Sequence, residues 1–394
     1  MKRVNMKNLL FNKIKGIKIK KRNLLCGTII IVLQFGNYCV DANIFAEKPN
    51  NIEVELNSSD GILSLSANEN CFLEGISQYI DSLNIAETKS DSKARLLYVS
   101  NIDLKDISLY RHNLGTIVSL NIEEYILGVL AAELGKSFPL EALKAQAVAA
   151  RTYAYKFASA YGNESYSGAN GADLIDNEYN QAYISPDDLL EKYGEDYFDD
   201  NWSKIVQAVE ETRGEVITYD GQIIQYPLYF ASTKDTTEDN LYVFGSDIPY
   251  LKPVKTGGDK NSYSYFDEVT FTADELADLL NKGFNKDIVN KSISLKKQIS
   301  ISERTSSGKP YIVKVGQEEV YARELRSLLS LKSVDMEFIF NKDNSLTIKT
   351  EGYGHGVGMS QWGAFAMANE GLSYKQILSH YYTGTKIGSL PKIN

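Results

Sequence analysis

One glutamate, Glu133, ends a strongly periodic apolar segment. Apolar residues precede it at three- and four-residue spacing, at Ile122, Tyr125, Ile126, Val129 and Leu130. This is the spacing of one helix face, so the carboxyl group falls on the apolar side. Removal from water favours the neutral acid and raises its pKa, as a general acid near neutral pH requires. The alternative is a structural glutamate that turns to water or pairs with Lys136 or Arg151.

A glycine-rich run near the C-terminus is the second candidate for chemistry. Residues 352–364 read GYGHGVGMSQWGA, with a glycine at every second position from 352 to 358. Such spacing is of no use inside a helix or strand, but it lets the backbone approach a ligand or turn sharply before a helix. His355, Ser360 and Gln361 form a polar cluster on this backbone. The alternative is a structural turn whose histidine caps the next helix.

A third group of polar side chains follows Glu133 on the next periodic segment. Its members are Lys144, Gln146, Arg151, Thr152 and Tyr155. A guanidinium such as that of Arg151 can bind a carboxylate or sugar hydroxyls, although a solvated helix face has the same spacing. The chain also has 26 tyrosines, whose flat apolar rings and polar tips suit sugar rings.

These residues require a fold that mixes short helices and strands. Helical periodicity covers residues 121–160, with a stop at Gly135 and a restart at Pro139, which the first turn of a helix tolerates. The dipeptide Asp220-Gly221 between alternating apolar runs predicts a β-hairpin. Residues 293–350 are β-type, except for a helix near residues 322–329, and another helix covers residues 360–369. The sequence therefore predicts an α+β fold, with mixed short strands and several helices forming one catalytic cleft after an N-terminal membrane segment.

The N-terminus has the pattern of an export signal. Nine Lys and Arg residues lie between Lys2 and Arg22, no acidic residue precedes Asp41, and an apolar run covers residues 24–35. The run is shorter than the about 20 residues that cross a bilayer, but residues 36–40 could extend it to a single anchor. We expect residues 1–40 to be a signal or anchor, 41–90 a stalk and N-terminal region, and 91–390 the catalytic domain. This places the domain outside the cytoplasm, either anchored by one helix or cleaved and secreted.

Charge and metal-binding residue types narrow the possible functions. Subtracting the nine basic residues from the net charge of −9 leaves −18 on the remainder, which argues against nucleic-acid binding through net charge. The cysteines Cys26, Cys39 and Cys71 and the three histidines are too scattered for a zinc spacing. We expect neither a metal nor another cofactor.

Two long segments resemble one known family. Residues 122–155 read IEEYILGVLAAELGKSFPLEALKAQAVAARTYAY, and residues 352–364 continue at 366–387 as AMANEGLSYKQILSHYYTGTKI. Both closely resemble the SpoIID/LytB family of sporulation and amidase-enhancer proteins. Shorter similar segments lie at 212–221, 243–251 and 324–333. The resemblance covers roughly residues 90–390.

The resemblance implies a peptidoglycan lytic transglycosylase. Such enzymes cleave MurNAc–GlcNAc bonds in glycan strands without water and leave 1,6-anhydro ends, in sporulation and engulfment. They prefer peptide-stripped strands, which implies a SpoIIP-like amidase as partner. Glu133 matches the family's catalytic glutamate, and one carboxyl group suffices, because the sugar's own 6-hydroxyl replaces the water that two-carboxylate hydrolases activate. The predicted substrate contacts are Arg151, Tyr155, Gln181, Tyr183, Ser232, His355, Ser360 and Gln361.

Two departures from the family pattern affect these expectations. Residues 231–238 read ASTKDTTE, where the family usually has a Ser-rich stretch with two glycines. Residues 171–183 keep Gln181 and Tyr183 but lack the cysteines with which some members bind zinc, so packing and hydrogen bonds should hold this loop. The first departure keeps an alternative open, a non-catalytic glycan-binding protein that enhances a cell-wall amidase.

Overall fold

The computed structural model divides the chain into two compact units, residues 1–103 and 104–394. In the first unit, the structure describes the backbone of four strands. In the second unit it describes residues 104–134, 138–177, 179–194 and 202–391.

The four strands of the first unit form an antiparallel sheet in chain order. They are β1 (Ile29–Phe35), β2 (Tyr38–Lys48), β3 (Asn51–Ser58) and β4 (Gly61–Asn68). Strand β1 is the described part of the apolar segment in which the sequence predicts a signal or anchor. Residues 24–28 lie outside the described residues, and export of the chain stays a prediction. Among the described residues, no helix combines the length and apolar character needed to cross a bilayer.

The second unit alternates short helices and short strands. Its described helices are α1 (Ile122–Glu133), α2 (Leu140–Phe157), α3 (Pro186–Tyr193), α4 (Ser203–Glu211), α5 (Asn240–Phe244), α6 (Ala273–Gly283), α7 (Leu295–Gln298), α8 (Ala322–Leu328), α9 (Gln361–Asn369) and α10 (Tyr374–Tyr381). Its described strands are β5 (Asp106–Arg111), β6 (Thr116–Asn121), β7 (Leu174–Ile175), β8 (Glu215–Tyr219), β9 (Gln222–Ile223), β10 (Tyr229–Phe230), β11 (Phe266–Phe271), β12 (Ile299–Arg304), β13 (Pro310–Val315), β14 (Glu318–Tyr321), β15 (Met336–Phe340), β16 (Leu346–Glu351), β17 (Met359–Ser360) and β18 (Lys386–Ser389). The predicted α+β class is confirmed.

Helix α1 ends at the candidate catalytic glutamate. It begins at a capping box, in which the Glu123 amide donates to the Asn121 side chain at 3.0 Å and the Asn121 amide donates to Glu124 at 3.1 Å. The apolar face of the helix is buried, as its periodicity predicts. Because the helix ends at Glu133, the carboxyl group lies at the edge of the core, on a fixed backbone.

Helix α2 crosses the centre of this unit. Its alanines at 142, 145, 147, 149, 150 and 154 are all buried, and the helix packs on α1, α4, α9, α10 and β8. Small side chains let several elements approach one helix closely.

Residues 266–351 form an inserted lobe with a hydrophobic core of its own. Two antiparallel three-stranded sheets, β11-β16-β15 and β12-β13-β14, surround buried residues such as Leu280, Val313 and Ile348. The insertion lies between β10 and β17, which pair in parallel with each other. Residues after β10, such as Tyr250 and Leu251, still belong to the main core. The polypeptide enters the lobe at β11 and returns to the main core through the glycine-rich run.

Candidate active site at Glu133

The Glu133 carboxyl group lies between the start of α9 and the loop before α3. Gln361 donates its side-chain amide to Glu133 Oε2 at 3.0 Å, and the backbone N–H of Ala182 donates to the same carboxyl group. Burial raises the pKa of Glu133 above its ordinary value, although these two hydrogen bonds act in the opposite direction. The residue keeps part of its surface exposed. A partly desolvated carboxyl group with an exposed edge can hold a proton and transfer it to a ligand.

A network of tyrosines supports the loop that contacts Glu133. The buried Gln181 side chain accepts from the Tyr125 hydroxyl at 3.1 Å and donates to the Tyr229 hydroxyl at 2.8 Å. Burial raises the pKa of both tyrosines, and the nearby charge of Glu133 contributes. Gln181 thus joins the first turn of α1 to β10. Neither tyrosine is among the site residues that the sequence analysis names.

Tyr183 fixes the same loop against α1. Its ring stacks on Tyr125 with centroids 5.6 Å apart and planes 7° from parallel, and the Arg111 guanidinium lies 5.2 Å from its centroid. A Cβ on Gly128 would lie 2.2 Å from this ring, so glycine in the middle of α1 makes the close approach possible. Tyr183 therefore holds the Ala182 amide near the carboxyl group.

Two aspartates hold the preceding part of the loop, in which some family members have zinc ligands. Asp173 accepts from the Ser108 amide at 2.9 Å and from the Ser165 hydroxyl at 2.8 Å. Partial burial raises the pKa of Asp173, but its hydrogen bonds outweigh this and lower it below its ordinary value. Asp176 pairs with Arg111 at 2.8 Å. Within the part of the chain that the structure describes, no group of three or more His, Cys, Asp or Glu residues is placed to hold a metal.

His355 is part of the backbone framework rather than a free polar group. Its Nδ1 accepts from the Val357 amide at 3.1 Å, so Nε2 carries the proton and donates to the Tyr229 carbonyl at 3.0 Å. Burial lowers the pKa of His355 to about 4, and the positive charge of Arg326 adds to this. Both ring nitrogens are therefore engaged by the backbone, while part of the residue stays exposed. This geometry favours the structural turn, and the sugar contact of His355 stays a prediction.

The glycines of this run bring it close to the protein's own backbone. Gly352 and Gly358 have φ angles of +93° and +81°. A Cβ would lie 2.7 Å from the Ser232 carbonyl oxygen at Gly352 and 2.0 Å from the Leu228 carbonyl oxygen at Gly358. The close approach that the glycine spacing predicts is thus made to residues 228–233.

Ser360 and Ser232 also have structural positions. Ser360 is fully buried, caps α9 by accepting from the Gly363 amide at 3.1 Å, and donates to buried Asp259. Ser232 is 2% exposed and pairs through its backbone with Tyr353 at 2.7 and 3.1 Å. Because neither hydroxyl reaches the surface, the prediction that both bind substrate is wrong for this conformation.

Arg151 forms a buried ion pair with Glu123. It is fully buried, its Nη2 lies 2.6 Å from Glu123 Oε2, and its Nη1 donates to the Glu215 carbonyl at 3.0 Å. The predicted substrate contact is therefore wrong, and the alternative pairing of Arg151 with Glu133 is wrong too. Tyr155 packs its ring on Tyr161 with centroids 5.3 Å apart.

Residues 231–238, the stretch that departs from the family pattern, are held by the inserted lobe. Glu238 is buried, accepts from the Ser307 hydroxyl and donates its amide to the Gly356 carbonyl at 2.7 Å. Buried Lys309 donates to the Thr236 carbonyl. Burial raises the pKa of Glu238 and lowers that of Lys309. No periodic pattern in the sequence marks this cluster, because it joins two regions about 70 residues apart.

Of the predicted residues, the structure brings Gln361, Gln181 and Tyr183 together around Glu133. The first contacts the carboxyl group directly, and the other two hold the loop whose backbone contacts it. The resulting site presents one carboxyl group, one carboxamide and surrounding aromatic rings. Such a site can donate and accept one proton beside a neutral, hydroxyl-rich ligand.

The chain is similar in sequence to several known proteins. A family model described as stage II sporulation protein (SpoIID) matches residues 110–219. Stage II sporulation protein D of Bacillus amyloliquefaciens is 35% identical over 282 residues, which cover 71% of this chain and 78% of the relative. The protein of the same name from Bacillus subtilis (strain 168) has the same identity and coverage. The amidase enhancer of Bacillus subtilis (strain 168) is 28% identical over 311 residues, or 66% of this chain and 40% of the relative. The chain therefore belongs to the SpoIID/LytB family.

Proposed function

We propose that the chain is a peptidoglycan lytic transglycosylase that uses Glu133 as acid and then as base. It cleaves MurNAc–GlcNAc bonds in peptide-stripped glycan strands and leaves 1,6-anhydro ends. The observation that carries the proposal is the environment of Glu133, in which burial raises the pKa while Gln361 at 3.0 Å fixes the orientation of the carboxyl group. The same group must hold a proton first and accept one later, so both properties are needed.

The reaction balances with this one carboxyl group. Protonated Glu133 gives its proton to the glycosidic oxygen as the bond from that oxygen to C1 of the MurNAc ring breaks. The electron pair leaves with the oxygen, and positive charge develops at C1 and the ring oxygen. The 6-hydroxyl of the same sugar then attacks C1 and loses its proton to the Glu133 carboxylate, which restores the starting acid. Water does not enter the products.

A second candidate is a non-catalytic glycan-binding protein that enhances an amidase. One relative is named an amidase enhancer, and residues 231–238 lack the glycine pair usual in the family. The two candidates share the binding of glycan and differ only in whether a bond is broken.

Incubation of the purified chain with peptide-stripped glycan strands separates them. We expect anhydro-ended fragments from the wild type and none from Glu133→Gln, because the amide cannot donate the proton. The control is Glu370→Gln, which changes an exposed glutamate just after α9 and should cleave as the wild type does. Glycan binding by the wild type without new ends would reject the transglycosylase and support the enhancer.

We further propose that the N-terminal segment exports and anchors the chain, so that it acts on peptidoglycan outside the cytoplasm after a SpoIIP-like amidase has removed the peptides. The nine basic residues before the apolar run support this orientation. A C-terminal alkaline phosphatase fusion should be active in intact cells. An active fusion made without residues 1–40 would contradict the proposed role of this segment.

A further inference from the structure

We propose that Tyr263 and Trp362 form a stacking platform for one sugar ring of the glycan strand whose neighbouring bond lies at Glu133. This inference rests on the proposed function, because it extends the same cleft by one binding position. The platform consists of these two residues, and the Phe138 ring packs against Trp362.

Tyr263 is exposed to a degree that folding does not explain. It is 94% exposed, more than any other large hydrophobic side chain among the described residues. Its ring meets Trp362 edge to face, with centroids 5.8 Å apart and planes at 85°. A side chain that buries so little area adds little to the hydrophobic stabilisation of the fold. Its flat face is free to contact a ligand.

The turn that carries Tyr263 is held rigidly. The Ser262 amide donates to the Asp259 carbonyl at 2.9 Å, and the Tyr265 amide donates to the Ser262 carbonyl at 3.1 Å. The buried Asp259 carboxyl group in turn accepts from the Thr233 amide at 2.9 Å and from the hydroxyl of Ser360, which caps α9. Asp259 thus ties the Tyr263 turn to the start of the helix that carries Trp362. A rigid aromatic group loses little conformational entropy when a ligand binds.

Two neighbouring residues of α9, Gln361 and Trp362, connect the platform to the surroundings of the Glu133 carboxyl group. At the start of α9, Gln361 contacts Glu133 at 3.0 Å. The next residue, Trp362, packs on Phe138 with centroids 5.3 Å apart, and Phe138 lies five positions after Glu133 in the chain. Two adjacent residues of α9 therefore contact α1 and the segment that follows it. A polymer bound across the carboxyl group would continue over the platform.

The chemistry of the platform suits an uncharged sugar ring. The faces of Tyr and Trp rings are large and apolar, while the hydroxyl and indole N–H at their edges can meet hydroxyl or acetamido groups. The C–H groups on one face of a pyranose provide the matching flat apolar surface. We therefore assign the platform to a sugar of the strand and not to its peptide side chains.

Fluorescence titration of the full chain tests this assignment. Glu133→Gln serves as the parent variant, so that peptide-stripped oligosaccharides bind without being cut. The chain has two tryptophans, and Trp202 is only 9% exposed, so a change in emission on binding reports mainly on Trp362. We expect Tyr263→Ala to weaken the Kd about tenfold and Tyr263→Phe to keep most of the affinity, since the stacking face remains.

The control is Tyr226→Ala, which removes another exposed tyrosine, one that lies under the Lys156 ammonium. Its Kd should equal that of the parent. Equal affinity in Tyr263→Ala, absence of an emission change in the parent, or an effect seen only with strands that still carry peptides would each overturn the assignment. Wild-type cleavage is scored separately, so a protein that binds through Tyr263 but produces no anhydro ends rejects only the transglycosylase proposal.

Discussion

Replacing Arg151 by methionine should lower the free energy of unfolding of the chain. It should not directly change the chemistry at Glu133. Arg151 is fully buried and Glu123, its partner at 2.6 Å, has a side chain only 3% exposed. Without Arg151, the Glu123 carboxylate keeps the Gly214 amide at 2.9 Å as a hydrogen-bond donor but has no positive charge beside it. A buried carboxylate without a counter-charge is strongly disfavoured.

The size of the effect follows from measured buried ion pairs. Removing one partner costs about 3–5 kcal/mol, a large share of the about 5–15 kcal/mol that stabilises a typical domain. The melting temperature should fall by roughly 10 °C for a unit of this size. Adding Glu123→Gln removes the unpaired charge and keeps an acceptor for the Gly214 amide. The double variant should then unfold within about 1–2 kcal/mol of the wild type, the remaining loss coming from the Glu215 carbonyl that Arg151 no longer contacts.

Urea unfolding followed by circular dichroism measures all four proteins of this cycle, and glycan cleavage is scored in parallel. The double variant should recover both stability and cleavage, because neither residue reaches the ligand. The opposite pattern would refute this reasoning: an Arg151→Met protein as stable as the wild type, with cleavage lost and not restored by Glu123→Gln. Arg151 would then act on the substrate after all.

Three further variants test the positions of side chains around the cleft. Gln361→Leu removes a hydrogen bond donated to the carboxylate and so raises the pKa of Glu133. The alkaline limb of the pH profile of kcat/KM should therefore move to higher pH. A limb that does not move would show that a group other than Glu133 causes it. The pKa of His355 is lowered from 6.5 to about 4, so between these values the unfolded chain binds a proton at this residue that the native chain does not. The contribution of His355 to the free energy of unfolding should therefore be constant above pH 7 and fall by about 3 kcal/mol between pH 6.5 and 4. His355→Asn should lose this slope in urea titrations, and an unchanged slope would contradict the assignment. Gly128→Ala should destabilise the chain by about 1–3 kcal/mol and reduce cleavage, because its Cβ would lie 2.2 Å from the Tyr183 ring. Helix propensity alone would instead stabilise the chain by about 1 kcal/mol. A stabilisation of that size in thermal melting would rule out this close contact.

Local sequence patterns predicted the elements of the second unit well. The two helices around Gly135, the hairpin at Asp220-Gly221 and the helix after the glycine run all lie where periodicity and turn residues place them. These signals act over a few residues, through the spacing of apolar side chains and the φ angles that glycine permits. The same signals correctly placed Glu133 on the buried side of a helix end.

The roles of polar residues could not be predicted in this way. His355 and Ser360 have the residue types and the glycine-rich neighbourhood of a ligand site, yet both satisfy buried groups of the fold. Arg151 would have looked the same whether its partner was a sugar or Glu123, 28 positions earlier in the chain. Which partner a polar side chain finds depends on how distant segments pack, and no local spacing records it.

By itself, the sequence determined the family, the α+β class, several helices and one hairpin of the second unit, and the glutamate at the end of α1. It did so because family motifs, apolar periodicity and turn residues are properties of short stretches of chain. Only the tertiary structure decided which polar residues surround that glutamate: Gln361 from 228 positions away contacts it. Arg151 instead pairs with Glu123, and His355 bonds to the backbone. The physical reason is that a buried polar group must be paired, and its partner is chosen by the folded arrangement of the whole chain.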